Sequence, residues 1–539
     1  MIDIKEVKMF SISLLALTLW GGVLVEPFRV ADHQPGHNQR QGCAAMASDG
    51  HFAVAWVDGI ASGDPDDLDD PEQELFIRFF DRDGNTMTDP YKITKLADTT
   101  WIRHPCLEID TVGNTILLWE ERKTQGKEEP SYVRFQRFAP DGSPVGSAHT
   151  LVARALLGEQ TLLFSPIDLS LNNNEEFVVT WCEIELGPPT YKNYVWVGRF
   201  DLEGDPENRP FLACDEECVF FYYPRVALND AGDVVVTWRD QLIPVYSDTA
   251  YLRFQVFDVQ DEPILSWRSR GHLLDDCGDK YGNWDAPLLW LDNDRFVAFW
   301  QRKSIDLNGW GLMGRVFGHR GLARYPIRLV MIDPHEVGAW EKMFSVAFSS
   351  DGRFAETHLR RSELHENWWW ERPGGIIGEI RDNEPWRQTN LFEYTLPFEK
   401  DTAQGINPVW MAYFVPAVGV CDDRIVWVYP HSTPDSLCEA WALISDWDMG
   451  VGVVESSIQT ASPIKLSASL NRLSYDVSGS VTGEARLSLY TADGRKVLEE
   501  TIEGKGIWTP PSSRLPSGVY FARVEGDASS KTQKVVLIR

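Results

Sequence analysis

SDGHFAVAW at residues 48–56, followed by FIRFFDRDGN at residues 76–85, sets a pattern that the chain repeats as far as AWALISDWD at 440–448. In the first stretch Phe52, Val54 and Trp56 take every second position, so one face of a β-strand is apolar and must be buried. The second stretch ends in Phe80-Asp81, and Asp83-Gly84 supplies the positive φ of a tight hairpin. The pair returns as VGNTILLWE (112–120) with VRFQRFAPDGS (133–143), and as NEEFVVTW (174–181) with VWVGRFDLEGD (195–205). AGDVVVTW (231–238) with LRFQVFDVQDE (252–262) and NDRFVAFW (293–300) with LMGRVFGHRG (312–321) follow. Two weaker copies complete seven: SDGRFAETH (350–358) with IIGEIRDNE (376–384), and DDRIVWV (422–428) with AWALISDWD.

The recurrent column is Trp56, Trp119, Trp181, Trp238, Trp300, His358 and Trp427, spaced 57 to 69 residues apart. A period of that length marks supersecondary units that cannot bury a face alone and must stack. Each unit resolves into four short strands, so the sequence predicts an all-β fold, a seven-bladed β-propeller with four antiparallel strands per blade. The Trp column is predicted to fill the seams between blades. The column Phe80, Phe138, Phe200, Phe257, Phe317 and Ile380 is predicted to be core. The last unit lacks a fourth strand after Ala440–Asp446, whereas Pro27–Ala31 stands ahead of Trp56 where earlier units place one. Residues 27–31 are therefore expected to close the ring as the outer strand of the seventh blade, removing two free sheet edges.

The chain has 539 residues and a formal charge of −29. That sign excludes nucleic acid as the partner, since phosphates need Lys and Arg to displace their counterions. It also disfavours an anionic membrane surface. Lys5 and Lys8 precede an apolar run, so residues 1–26 read as an export leader, and no later segment is apolar enough to span a bilayer. Eight cysteines in an exported chain invite disulfides. Their spacing is irregular: Cys214 and Cys218 form the best local pair, Cys43 and Cys106 occupy one position in neighbouring repeats, and Cys182 follows Trp181 inside a strand. No Cys/His spacing suggests zinc.

Residues 27–448 form the repeat region, 449–462 a linker, and 463–539 a region of different composition. Its short strands and turns predict a small Ig-like β-sandwich. In Ser517-Gly518-Val519-Tyr520-Phe521-Ala522-Arg523 the alternation sets Val519, Phe521 and Arg523 on one face and Tyr520 on the other. This segment, with Leu489-Tyr490, Asp493-Gly494-Arg495, Val497 and the terminal Lys534-Val535-Val536-Leu537, resembles the C-terminal sorting domain of proteins exported by the bacterial type IX secretion system. The family's Tyr-Pro-Asn-Pro opening is absent, and Ser462-Pro463 stands near its place. The resemblance implies an Ig-like fold, recognition by the secretion machinery, and release from or attachment to the outer surface of a diderm bacterium. The repeats themselves are similar to a broad group of bacterial secreted propeller repeats, an architectural likeness that names no chemistry.

Loops entering the innermost strands and loops joining second to third strands share one propeller face. They carry Trp101, Arg103 and His104; Tyr222, Tyr223 and Arg225; Trp284 and Asp285; and Trp340, Glu341 and Lys342. The longer loop ENWWWERPGG adds Trp368, Trp369 and Trp370. Aromatics beside guanidinium and carboxylate groups suit carbohydrate, whose C–H faces stack on rings while its hydroxyls need polar partners. The leading reading is a binding protein for a glycan or a surface protein. The alternative is a glycan-active hydrolase or polysaccharide lyase at the same face, with Asp285 and Glu341 the only carboxylate pair these loops offer. No cofactor is implied. The acidic loop DPDDLDDPEQE (64–74) presents Asp64, Asp66 and Asp67 as loose calcium candidates, although it lacks the Gly and distal Glu of an EF-hand. FDRDGN (80–85) reads as a hairpin turn.

Overall fold

Alternation of apolar residues becomes strand throughout. A computed structural model describes residues 22–537 except 33, 61–72, 99, 124–130, 155–160, 188–189, 215–219, 242–249, 266–270, 277–285, 305–308, 325–327, 334–343, 350, 362–370, 381–386, 393–415, 433–437, 448–464, 470–471, 477–483, 492–494, 510–514, 516–517 and 526–529. At several strand ends, among them 161–166, 184–187, 190–193 and 220–223, it describes backbone alone. The chain divides into two compact units, 1–452 and 453–539.

The first unit opens with β1 (Val23–Arg29). Four strands follow as β2 (His37–Met46), β3 (Phe52–Ile60), β4 (Glu74–Phe80) and β5 (Tyr91–Lys92). The next four are β6 (Thr100–Ile109), β7 (Thr115–Lys123), β8 (Ser131–Phe138) and β9 (Pro144–Arg154). Then come β10 (Thr161–Leu171), β11 (Glu176–Gly187), β12 (Thr190–Asp201) and β13 (Phe211–Cys214), and β14 (Phe220–Leu228), β15 (Val234–Gln241), β16 (Ala250–Phe257) and β17 (His272–Asp276). The fifth group is β18 (Leu288–Asp292), β19 (Arg295–Ser304), β20 (Gly309–Gly318) and β21 (Arg328–Asp333). The sixth is β22 (Phe344–Phe348), β23 (Arg353–Arg361), β24 (Glu371–Glu379) and β25 (Arg387–Phe392). The last is β26 (Ala417–Val420), β27 (Ile425–Ser432) and β28 (Cys438–Ser445). Each group of four is one antiparallel meander, and β26–β28 is completed by β1, giving seven four-stranded sheets among the described residues.

Neighbouring sheets pack through the Trp column, except that the sixth meets the fifth through Phe354 against Val297 and Phe299. Trp119 lies among Ala53, Ala55, Val57 and Ile77 of the preceding sheet. Trp181 lies among Ile116, Leu118 and Val133, and Trp238 among Val178, Val195 and Val197. Trp56 packs on Val426, Val428, Ala440 and Ala442 of the last sheet, so the stack returns on itself as a ring. In three sheets the Phe column pairs across strands. Phe52 stacks on Phe80, Phe177 on Phe200 and Phe296 on Phe317, with centroids 4.9, 5.4 and 5.0 Å apart. Such cross-strand aromatic pairs contribute roughly 0.2–1 kcal/mol each beyond their burial.

A carboxylate two residues after the Trp decides whether its buried indole N–H is satisfied. Where that residue is Glu it reaches: Trp119 Nε1 donates to Glu121 at 3.4 Å and Trp181 Nε1 to Glu183 at 3.0 Å. Where it is Asp, one methylene shorter, the carboxylate turns elsewhere. Asp58 meets His37 Nδ1 at 2.7 Å and Asp240 accepts from Arg253 at 2.7 Å. Trp56 Nε1 and Trp238 Nε1 are then buried without a hydrogen bond.

The Asp-Gly pairs close tight hairpins, as expected. Asp81 N donates to Asn85 O, so three residues span the loop, with Gly84 at φ 77°. This is a turn followed by one left-handed residue, the usual three-residue hairpin. The Asp81 carboxylate accepts from the amides of Asp83 and Asn85, which accounts for FDRDGN as a turn. At the β2–β3 type of turn, a chain of side chains links neighbouring sheets. Ser48 Oγ donates to Thr111 O (2.9 Å), Thr111 Oγ1 to Asn173 Oδ1 (2.8 Å), and Asn173 Nδ2 to the Asp230 carboxylate (3.2 Å).

Ring closure falls on the expected partner, with a shifted register. β1 pairs with β28 as its outer strand, Phe28 opposite Ala442 and Arg29 opposite Trp441, and Phe28 packs on Phe80 at 5.7 Å. The strand starts at Val23, four residues before the expected Pro27 and inside the segment assigned to the leader. Val23 and Val25 pair with Ser445 and Ile444, and Gly22 O accepts from Asp446 N. Beyond Val30 the outer strand stops, and side chains of β2 replace it. Asn38 Oδ1 accepts from Cys438 N at 2.9 Å and Gln39 Oε1 from Ala440 N at 2.7 Å, all of them buried.

The second unit contains β29 (Lys465–Ser469), β30 (Arg472–Asp476), β31 (Glu484–Thr491), β32 (Lys496–Glu503), β33 (Lys505–Trp508), β34 (Gly518–Glu525) and β35 (Ser530–Leu537). They form a three-stranded sheet, β29-β30-β33, and a four-stranded one, β32-β31-β34-β35. Leu473, Leu487, Leu489, Trp508, Tyr520, Ala522 and Val524 make one core. The alternation of β34 is as read: Tyr520 is buried, while Phe521 is 38% exposed and Arg523 lies outside with it.

Two expectations follow. Replacing Gln39 by Ala leaves the Ala440 amide buried without an acceptor, which should cost about 1–3 kcal/mol, read as a lower urea midpoint. A leader cut at residue 26 would remove Val23 and Val25 from the closing strand. N-terminal sequencing of the exported chain is therefore expected to find its first residue no later than Gly22.

Candidate functional site

The innermost strands β2, β6, β10 and β14 share an irregularity near the end opposite the cross-linked turns. Their pairing slips between Arg40 and Cys43, Arg103 and Cys106, Phe164 and Asp168, and Tyr222 and Arg225. Pro105, Pro166 and Pro224 sit in three of these slips. Proline has no N–H to donate to the ladder, so the strand bulges there and re-aims the side chains on either side. In the first two sheets the bulge also holds non-glycine residues in the left-handed region, Gln41 at φ 48° and His104 at φ 51°. Strain of this kind costs on the order of 1–3 kcal/mol and persists only where the surroundings fix it. Here Gln41 Oε1 accepts from His104 N at 2.9 Å, tying the two bulges together across the seam.

Residues just past the bulge form a column, Cys43, Cys106, Asp168 and Arg225, that reaches from each strand to the next. The Cys106 thiol donates to Ile167 O at 3.2 Å. Asp168 accepts from the Val226 amide at 2.9 Å and from Arg225 at 3.1 Å. Glu108, on the same face of β6 as Cys106, is pushed up to about 8 by burial and by the negative charge of Asp168. Burial also pushes the Cys43 and Cys106 thiols far up, so both are inert at neutral pH. Cys43, Cys106, Cys182, Cys214, Cys421 and Cys438 are free thiols, and Cys218 lies outside the described residues.

At the very end of β6 and β7 stands an aromatic–guanidinium group. Trp101 is only 4% exposed, so it packs rather than offers a platform. The Arg103 guanidinium lies 4.1 Å from its ring centroid and that of Arg122 5.7 Å, both within cation–π range. His104 Nδ1 is 3.7 Å from Glu120, which is buried. Glu121 is fully committed: it accepts from Arg134 (2.8 Å), Thr100 Oγ1 (2.5 Å) and Leu96 N (2.5 Å).

Of the residues expected at this face, Arg103 and His104 lie at one end of β6, and Arg225 at the same end of β14, with β10 between them. Tyr222 and Tyr223 are on β14 at that end, with only their backbone described, and Tyr222 pairs with Arg239. Trp284, Asp285, Trp340, Glu341, Trp368, Trp370, Asp64, Asp66 and Asp67 lie outside the described residues. Sequence reading missed Gln41, Glu108, Arg122 and Asp168. One signal was present: a proline fourteen or fifteen residues ahead of Trp119, Trp181 and Trp238, where a strand should run unbroken. Among the described residues no three His, Cys, Asp or Glu side chains converge as metal ligands, and no helix is long and apolar enough to cross a membrane.

Residues 470–538 match the secretion system C-terminal sorting domain. The second unit is thus a type IX sorting domain, and the protein is secreted or held at the outer cell surface. No curated protein is found to match the chain. Among solved structures, a protein of unknown function from Dyadobacter fermentans is similar at 11% identity and TM-score 0.39, covering 78% of this chain and 99% of its own. An α-L-arabinofuranosidase of Fusarium graminearum is similar at 9% identity and TM-score 0.37, over 79% and 98%. A polysaccharide lyase is similar at 8% identity and TM-score 0.41, over 76% and 90%. Likeness at that level carries no argument about what this chain binds.

The raised value of Glu108 fixes the sign of a pH effect. Its stabilising contribution is full below the ordinary carboxylate range near 4.5 and is lost as pH rises through about 8. Glu108→Gln, which mimics the protonated acid, is expected to leave the melting temperature unchanged at acidic pH and to raise it by several degrees in mildly alkaline buffer. Equal shifts at both pH values would mean that Glu108 is not enclosed.

Proposed function

We propose that this exported propeller is a binding protein whose ligand, a glycan, is held at the bulged end of the inner strands. The carrying observation is that the polar side chains there are fixed by one another. Arg225 is set by Asp168, Arg103 by the Trp101 ring, and the His104 amide by Gln41. Rigid donors on two inner strands suit a polyhydroxylated chain, because little side-chain entropy is lost on binding. A surface protein is the other ligand this end could receive, and it is an outcome of the test below.

One observation favours hydrolysis as a second reading. Burial and the negative charge of Asp168 push the Glu108 carboxyl up to about 8, which would set an acid beside a base as acid–base cleavage of a glycosidic bond requires. Glu108 and Asp168 join the sequence pair Asp285 and Glu341 as carboxylates to test.

A glycan array probed with the secreted protein, run beside an assay for reducing-end release, separates the readings. Retention without turnover is expected. Arg103→Ala should weaken retention by roughly tenfold, the worth of one charge-assisted hydrogen bond. Turnover abolished by Glu108→Gln would establish the hydrolase instead, and silence on the array with capture of a surface protein would replace the glycan.

A further inference from the structure

We propose that the ligand at this end of the ring is anionic, a polysaccharide whose carboxylate or sulfate groups meet Arg122 and Arg225. The inference rests on the glycan reading above and adds the chemical class.

A chain of formal charge −29 repels polyanions as a whole. Around Trp101 two guanidinium groups gather, with the Glu120 carboxylate buried beside His104. Arg103 and Arg122 both lie against its ring, and among the described residues no carboxylate pairs with Arg122. The carboxylates nearest in the fold are already occupied. Glu121 is held by Arg134, Thr100 and Leu96, and Asp168 by Arg225 and the Val226 amide. Glu108 is protonated through neutral pH and brings no negative charge. The acidic side chains at this end therefore orient cations without cancelling the outermost one.

The kind of cation matters as well. A guanidinium is flat and weakly hydrated, and its fork of N–H donors matches the paired oxygens of a carboxylate or sulfate. Held against an indole, it loses little freedom when such a group arrives. Arg225 is likewise anchored, with its side chain about a quarter exposed (26%). Two anchored guanidinium groups, one on the second sheet and one on the fourth, suit a polymer with repeated charges better than a single small anion.

The test uses the full secreted chain in affinity electrophoresis through gels holding polygalacturonate, dextran sulfate or neutral dextran. Retardation is expected in one or both charged gels and not in the neutral one, and it should fall as salt is raised. Which charged gel retards the chain distinguishes carboxylate from sulfate. Arg122→Gln and Arg225→Gln should each weaken binding about tenfold. Arg225 also braces Asp168, so that variant is read only where its melting temperature is unchanged. Arg122 has no such role and keeps the test decisive. Equal retardation in neutral dextran, or charged-gel binding untouched by Arg122→Gln, would overturn the anionic class while leaving the glycan reading standing. Failure to bind any polysaccharide, on these gels and on the array, would remove the glycan reading and this inference with it.

Discussion

Most seams of the first unit depend on an indole wedged between two sheets. A four-stranded sheet alone exposes both faces, and here each face is covered only by the neighbouring sheet. Trp56, Trp119, Trp181, Trp238 and Trp300 are among the largest fully buried side chains, and each belongs to one sheet while resting on another. Loss of a buried Trp side chain costs about 3–5 kcal/mol, so one seam weighs heavily against a typical net stability of about 5–15 kcal/mol. The cost is shared around a ring, which makes closure as important as any seam. That explains the care taken at β28: a strand from the other end of the chain covers part of it, and Asn38 and Gln39 cover the rest.

The two ends of the inner strands serve different purposes. At one end the Ser48–Thr111–Asn173–Asp230 chain repeats similar short polar side chains at equivalent turns, binding sheet to sheet. At the other, equivalent positions after the bulge hold two thiols, Cys43 and Cys106, then a carboxylate, Asp168, and a guanidinium, Arg225. Repetition is what a scaffold needs, and divergence at matched positions is what a ligand surface needs. The bulges make this division physical. They interrupt the ladder where strand geometry would otherwise point side chains only at the neighbouring sheet, and the seam bond from His104 N to Gln41 holds the interruption in place.

What the sequence disclosed follows the same line. Strands, seams, the Phe pairs and the closing strand are set by alternation and by period, which are visible within one repeat. The position of the closing strand was misjudged because Val23 and Val25 are equally good leader residues and strand residues, and only their pairing with Ser445 and Ile444 distinguishes the two. Trp101 was taken for a ligand platform because loop position was legible and burial was not. Asp168, Glu108 and Arg122 gain their significance from residues on other strands, fifteen or more positions away in the chain, and no local pattern encodes that. The prolines in the inner strands were the one local trace.

The choice between Asp and Glu two positions after the Trp carries the argument one step further. Glu121 and Glu183 satisfy their own sheet's indole and, by doing so, stiffen the seam. Asp58 and Asp240 leave Trp56 Nε1 and Trp238 Nε1 unpaired and turn to His37 and Arg253 instead. A buried donor without a partner costs about 1–3 kcal/mol, so those two seams are weaker than the two carrying Glu. One of them is the seam between the first and last sheets, where closure is already divided between β1 and the side chains of β2. The ring is therefore expected to open first there, and the Glu-bearing seams beside Arg103, His104 and Asp168 to stay closed longest, keeping the proposed ligand end rigid while the closing seam yields.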